Sequence, residues 1–85
     1  MQSPHFKAFR IPVEGLQTVL PKRVLKKAVD RNGLRRIIRE SARACHVSAV
    51  RVVLTNNRGF DGCPSRRALK LAWRAELDAV LMQLR

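Results

Sequence analysis

The spacing of apolar and polar residues predicts five secondary-structure elements, and the first is a short strand. It falls within His5 to Val13 (HFKAFRIPV). Phe9, Ile11 and Val13 share one face of that strand, because side chains alternate between the two faces. Pro12 has no backbone N–H to donate, which confines the strand to a sheet edge or a strand end.

A second strand, rich in β-forming residues, is predicted from Leu16 to Leu20 (LQTVL). Glu14 and Gly15 offer a short turn before it, so the first two strands can pair as a hairpin. Pro21 then prevents this strand from continuing.

A long helix is predicted next, from Lys26 or Lys27 to Cys45. Its apolar residues recur at the spacing of one helix face: Leu34, Ile37, Ile38, Ala42 and Cys45. Gly33 lies in the middle of the helix and costs about 1 kcal/mol relative to alanine. This cost indicates that tertiary packing or a bound partner supports the helix.

The clearest strand runs from Val50 to Thr55 (VRVVLT), with apolar residues alternating on one face. A turn-rich loop follows from Asn56 to Gly62, and a second helix is predicted to run to Leu84. Pro64 suits the first position of that helix, with Cys63 or Ser65 near its cap. Its buried stripe is expected to consist of Leu69, Trp73, Leu77, Val80 and Leu84.

Strand, strand, helix, strand, helix is the resulting order, which favours an α+β fold. We expect a small sheet of about three strands, carrying a long basic helix and a C-terminal amphipathic helix. The 85 residues give room for a single domain, residues 1–85. No apolar run approaches the roughly 20 residues that span a bilayer, and no segment reads as a signal peptide. Two cysteines are too few for a disulfide scaffold, so we expect reduced thiols and a cytoplasmic protein.

The formal net charge of +12 favours nucleic acid or an anionic membrane surface as the partner of this chain. The segment from Lys22 to Arg43 holds nine of the 18 basic residues, and six of the nine are arginines. Five cations in it recur every four residues and form one ridge on a helix: Lys27, Arg31, Arg35, Arg39 and Arg43. Like charges at this spacing repel each other, and a polyanion that neutralises them removes the penalty.

No arrangement of side chains in the sequence indicates a catalytic centre in the protein itself. Neither histidine has a partner at a recognisable spacing. Cys45, His46 and Cys63 lack both the spacing of a zinc site and a fourth ligand. The acidic residues show no paired arrangement for acid–base work, and Arg36 is placed to form an ion pair with Glu40.

Six short motifs follow one another at fixed spacing through the basic segment: Lys22-Arg23, Ala28-Val29, Arg31-Asn32, Arg35-Arg36, Ile37-Ile38 and Arg39-Glu40. In this order and spacing they resemble the signature of the bacterial ribonuclease P protein component. The strand VRVVLTN and the closing amphipathic helix with Trp73 are similar to that family too. The resemblance covers roughly Leu16 to Arg85.

Two features depart from the family pattern. Gly33 stands where the family usually has a second arginine, so a contact made by that side chain is missing here. Family members also usually begin with a further helix and strand that complete a cleft for the leader of precursor tRNA. Only His5 to Val13 corresponds to that region, so the resemblance describes a short form.

The resemblance implies an RNA-binding subunit of ribonuclease P, a ribonucleoprotein that acts as an endonuclease, a hydrolase, in tRNA processing. Its partners would be the ribonuclease P RNA and precursor tRNA, with no membrane and no protein partner implied. In that family the RNA is the catalyst and removes the 5′ leader with Mg²⁺, so no cofactor and no activity are expected of the protein alone. The residues it assigns to RNA binding are Lys22, Arg23, Lys26, Lys27, Arg31, Asn32, Arg35, Arg36, Arg39 and Arg43.

Phe6 and Phe9, flanked by basic residues, are candidates for stacking on unpaired bases of the leader. A spacing of three places them on opposite faces of a strand. We expect Phe9 to pack in the core with Ile11 and Val13, which leaves Phe6 as the freer ring.

Two other interpretations stay open at this point. A basic DNA-binding protein, or a binder of another structured RNA, would use the same helix, although flanking strands are unlike a helix-turn-helix. A cationic protein of the membrane surface would need a bulky apolar face opposite the arginines. Ala28, Gly33 and Ala42 make that face a poor one.

Overall fold

A computed structural model describes residues 2–57 and 65–84 and gives the predicted α+β fold. One sheet contains three strands, β1 (Phe6–Arg10), β2 (Leu16–Val19) and β3 (Val50–Leu54). Two helices of 17 residues each complete the described structure, α1 (Ala28–Ala44) and α2 (Arg66–Met82). No helix in the described ranges is long and apolar enough to cross a membrane.

The strands lie in the order β1-β3-β2, with β3 at the centre of the sheet. β3 pairs antiparallel with β1 and parallel with β2. The predicted hairpin between the first two strands is therefore wrong, because β3 lies between them. Arg10 and Leu16 both pair with Val50, so the intervening loop must cross two inter-strand spacings, about 10 Å.

The core lies between one face of the sheet and the two helices. All five residues of the predicted α1 stripe are buried: Leu34, Ile37, Ile38, Ala42 and Cys45. The α2 stripe is confirmed for Trp73, Leu77 and Val80, whereas Leu69 and Leu84 are only partly buried. Leu81 is also fully buried, because a helix that faces both a sheet and a second helix buries more than one row.

The structure reverses the expected burial of Phe6 and Phe9. Phe6 is fully buried and pairs with Leu54, whereas Phe9 is partly exposed on the other face. Val13 is 61% exposed. The prediction failed because β1 ends at Arg10, so the parity shared by Phe9 and Val13 has no meaning beyond that point.

Local hydrogen bonds and backbone conformation explain where α2 begins and where α1 ends. The Ser65 hydroxyl accepts a hydrogen bond from the Ala68 N–H at 3.2 Å and caps α2, as one of the two predictions had it. Cys63 and Pro64 lie outside the described residues. Beyond α1, His46 adopts a left-handed conformation with φ 56°, and the Val47 N–H donates to the Ala42 carbonyl at 2.9 Å.

Glu76 of α2 fastens the segment before β1 to the helix layer. Its Oε2 accepts hydrogen bonds from the Ser3 hydroxyl at 2.5 Å and the His5 N–H at 3.0 Å. The His5 ring nitrogen Nδ1 lies 2.8 Å from Oε1. Partial burial alone would raise the pKa of Glu76, but the hydrogen bonds from Ser3 and His5 and the charge of His5 lower it overall.

Candidate nucleic-acid interface

The outer face of α1 carries the cations that the sequence assigned to RNA binding. Since α1 buries its apolar stripe and Ser41 against the sheet and α2, its basic positions lie mainly on the side away from the core. Nine of the ten assigned residues are exposed and Arg31 is partly buried. The exposed ones are Lys22, Arg23, Lys26, Lys27, Asn32, Arg35, Arg36, Arg39 and Arg43.

The basic ridge winds across the surface of α1. Lys27 is the N-cap, so the helical part of the ridge consists of Arg31, Arg35, Arg39 and Arg43. Each step of four residues rotates the side chain by about 40° around the axis. The ridge therefore turns from the partly buried side of the helix at Arg31 to its fully exposed side at Arg43.

Arg31 holds the loop before α1 in place. Its Nη1 donates to the carbonyls of Leu25 and Lys26, both at 2.8 Å. In the same loop the Pro21 carbonyl accepts from the N–H groups of Val24 and Leu25 at 3.0 Å. Together with the buried Leu25 side chain, these bonds fix the backbone that carries Lys22, Arg23, Lys26 and Lys27.

Ion pairs on α1 involve only some of its cations. Arg36 and Glu40 form the predicted pair at 3.5 Å, with both side chains well exposed. Arg35 Nη1 donates to Asn32 Oδ1 at 3.0 Å, which turns the Asn32 amide and leaves its NH₂ donors available. Arg39 and Arg43 have no acidic partner within the described part of the chain.

A cleft of about 640 Å³ lies at the start of α1, between the basic loop and the end of β3. Its charged walls are formed by Arg23, Lys26, Lys27 and Asp30. Thr55, Asn56 and Asn57 supply polar groups on the opposite side. Cations placed beside the positive end of a helix attract phosphate strongly.

The sheet face turned away from the helices is a second surface. Of its residues, sequence reasoning named only Phe9 as a candidate for stacking, and expected that ring to pack in the core. It presents Lys7, Phe9, Gln17, Val19, Arg51 and Val53. The Arg51 guanidinium carbon lies 5.8 Å from the centre of the Phe9 ring, and Arg51 Nε donates to Gln17 Oε1 at 2.8 Å. The alternation of β3 could have placed Arg51 here, but its neighbours on the face depend on the strand order.

The candidate groups for other chemistry are not brought together in the described residues. His5 contacts Glu76, and His46 follows the end of α1 in a left-handed conformation. Cys45 is a buried free thiol. Among the residues that the structure describes, no three His, Cys, Asp or Glu side chains are grouped to hold a metal ion.

Comparison with protein families gives one match. A family model described as Ribonuclease P matches residues 10–81 of the 85. The matched range includes all ten residues assigned to RNA binding, together with β2, α1 and β3. Comparison with curated proteins gave no match, and neither did comparison with solved structures.

Proposed function

Because the chain belongs to the ribonuclease P protein family, we propose that it binds the ribonuclease P RNA through α1 and the loop before it. The observation that carries the proposal is the exposed basic face of α1, on which Arg39 and Arg43 have no described acidic partner. Arginine forks match phosphate oxygens and stack on bases, so this face suits folded RNA.

The protein's task in this proposal is to help the RNA remove the 5′ leader of precursor tRNA. The RNA supplies the catalytic centre with its Mg²⁺, and the protein supplies fixed positive charge. Helix α1 holds its cations in a row, so several phosphates are neutralised without ordering a flexible chain. The protein should therefore lower the Mg²⁺ concentration at which the RNA is active.

The leader of the precursor would contact the open sheet face only weakly, because that face offers a single ring among the described residues. Phe9 is partly exposed there beside Arg51 and Lys7, the combination of ring and cations that binds single strands. Phe6 is in the core and is not a candidate for stacking.

The two rival partners are less well suited to this surface. A helix-turn-helix reads the major groove with the second of two helices joined by a short turn, whereas α1 lies between β2 and β3 along the chain. Among the exposed large apolar side chains in the described ranges, Val29 alone lies on α1, the helix that carries the arginines: the five are Val13, Val19, Val29, Leu71 and Met82. A membrane-surface helix needs them on one face.

The proposal is tested by replacing Arg35, Arg39 and Arg43 together with alanine. We expect weaker binding to a bacterial ribonuclease P RNA and a smaller slope of log K against log salt, by about one unit per lost contact. The matched control replaces Lys7, Arg10 and Arg51, which removes the same charge from the sheet.

Parallel titrations with duplex DNA and anionic vesicles compare the three partner classes. Equal RNA affinity and slope in the two triple variants would remove the α1 face from the interface. Tighter binding to DNA or to vesicles than to the RNA would contradict the proposed partner.

A further inference from the structure

The first half of α2 carries four cations that the basic face of α1 does not include: Arg66, Arg67, Lys70 and Arg74. The first turn of α2 contains no acidic residue. Positive charge near the positive end of a helix dipole is unfavourable, and an anion there removes the penalty. These cations therefore destabilise the isolated fold and favour the binding of an anionic partner.

These four cations line a groove between α1 and α2. It consists of two adjoining depressions of about 470 Å³ and about 550 Å³, which share Ile37, Glu40 and Lys70. Five cations and one acid line them together: Arg36, Arg66, Arg67, Lys70 and Arg74, with Glu40. Ile37 is buried and Leu71 is 64% exposed, so the groove also offers apolar contact.

Ion pairs hold the walls of this groove and leave two cations for a ligand. Arg66 lies 3.6 Å from Asp30, and Arg74 lies 2.9 Å from Asp78 and 3.8 Å from Glu40. No acidic partner of Arg67 or Lys70 is found in residues 2–57 and 65–84.

Lys70 of α2 lies close to α1 at Gly33. A Cβ built on Gly33 would meet the Lys70 Cε at 3.7 Å, so the lysine stem packs over the glycine. The stem thereby carries the ammonium group to the side of α1, next to the outer face that bears Arg36.

We infer that the α1–α2 groove binds the sugar–phosphate backbone of a second segment of the same structured RNA, through Arg67 and Lys70. This inference rests on the proposed function, since it extends the RNA surface of α1 onto α2. The charge favours RNA over an acidic protein, because the cations continue from the groove through Arg36 onto the outer face of α1. One polyanion can then cover both helices, and the protein joins two parts of it.

The test compares three variants that each remove two charges. The groove variant is Arg67→Gln with Lys70→Gln, the ridge variant is Arg39→Gln with Arg43→Gln, and the control is Arg10→Gln with Arg85→Gln. Affinity for a bacterial ribonuclease P RNA, its salt dependence and the hydroxyl-radical footprint on that RNA are measured for each. Thermal unfolding shows that the variants fold, and Arg67→Lys with Lys70→Arg tests rescue by charge.

We expect the groove variant to bind about tenfold more weakly than the control and to lose about two units of salt slope. It should lose protection in a different RNA segment from the ridge variant, and the charge-conserving variant should restore that protection.

If the groove variant binds like the control while the parent protein binds the RNA, the groove is not an RNA surface and the proposed function stands. If both variants lose the same protections, the second segment is excluded. If the parent protein does not bind the RNA, the proposed function itself fails, and this inference with it.

Discussion

The Arg31 side chain belongs to the basic ridge by sequence, yet in the structure it also supports the chain before α1. Its two hydrogen bonds to backbone carbonyls use one guanidinium nitrogen and hold the loop of Lys22 to Lys27. Cations of one motif can therefore differ in role, and only the fold distinguishes them. The repeat every four residues predicted the row, whereas the backbone partners depend on how the preceding loop closes.

Arg31→Ala and Arg39→Ala remove the same charge and should differ in stability. Arg31→Ala should lower the free energy of unfolding by about 1–2 kcal/mol, because two carbonyls lose a charged donor. Arg39 is exposed with no described acidic partner, so Arg39→Ala should stay within about 0.5 kcal/mol of the parent. Urea unfolding monitored by Trp73 fluorescence measures both, and equal losses would show that the Arg31 bonds contribute nothing.

Glu76 should make stability depend on pH at the acid end. Its pKa is lowered in the folded protein, because hydrogen bonds from Ser3 and His5 outweigh the effect of burial. The carboxylate therefore stabilises the fold above its ordinary pKa of 4.5, and this stability is lost as the pH falls through the lower folded value. Melting temperatures of the parent and of Glu76→Gln should converge below that range. A constant difference between pH 7 and pH 3 would contradict the linkage.

At the scale of elements, periodicity predicted α1, α2 and β3 well, because each buries one regular stripe. Periodicity did not predict the order of the strands in the sheet. The short loop after β1 suggested a hairpin, but β3 takes the place between β1 and β2. Sequence reasoning likewise assigned the cations of α1 and did not name Arg51, Arg67 or Lys70. The fold places Arg51 beside Phe9 and Lys70 beside Gly33, and these neighbours are far apart in the sequence.

Two glycines should respond in opposite ways to the same substitution. Gly33 is helical and an added Cβ makes ordinary contact with Lys70, so Gly33→Ala should stabilise the protein by about 0.5–1 kcal/mol. Gly15 has φ 121°, which an L side chain rarely adopts, so Gly15→Ala should destabilise it. Thermal unfolding measures both changes, and a loss of stability in Gly33→Ala would contradict the ordinary contact expected between the added Cβ and the Lys70 side chain.

An arginine at position 33 should strengthen RNA binding. Gly33→Arg places a further cation beside Lys70 and Arg36, where the groove meets the outer face of α1. We expect higher affinity for the ribonuclease P RNA, with Gly33→Ala as the control for helix propensity. Weaker binding in Gly33→Arg would indicate that RNA approaches the backbone closely at this glycine.

The whole molecule has two layers, and its two candidate RNA surfaces lie on opposite sides of them. The helices cover one face of the sheet and turn their cations outward, while the other face stays open. The fold class followed from the order of the elements. The open face did not, because it depends on which residues of β1 and β2 lie beside Arg51. Phe9 is its one aromatic ring among the described residues, and that ring already contacts Arg51.

Leader recognition should accordingly be weak, while support of the RNA by charge should be strong. Binding of a single strand draws on several stacked rings beside a basic groove, and this face offers Phe9. We expect the protein to increase cleavage of precursor tRNA by the ribonuclease P RNA most at low Mg²⁺, by a factor that does not depend on leader length. The protein without RNA should cleave nothing.

The measurement is a cleavage rate for precursors with a series of leader lengths, at low and high Mg²⁺, with Phe9→Ala beside the parent. Phe9→Ala should change the rate little at every length, because one ring contributes about 1–3 kcal/mol only when a base is stacked on it. A gain that rises with leader length and disappears in Phe9→Ala would show a working leader site on the open sheet face. The weak-recognition hypothesis would then be wrong, whereas the electrostatic role of α1 would be judged by the Mg²⁺ dependence alone.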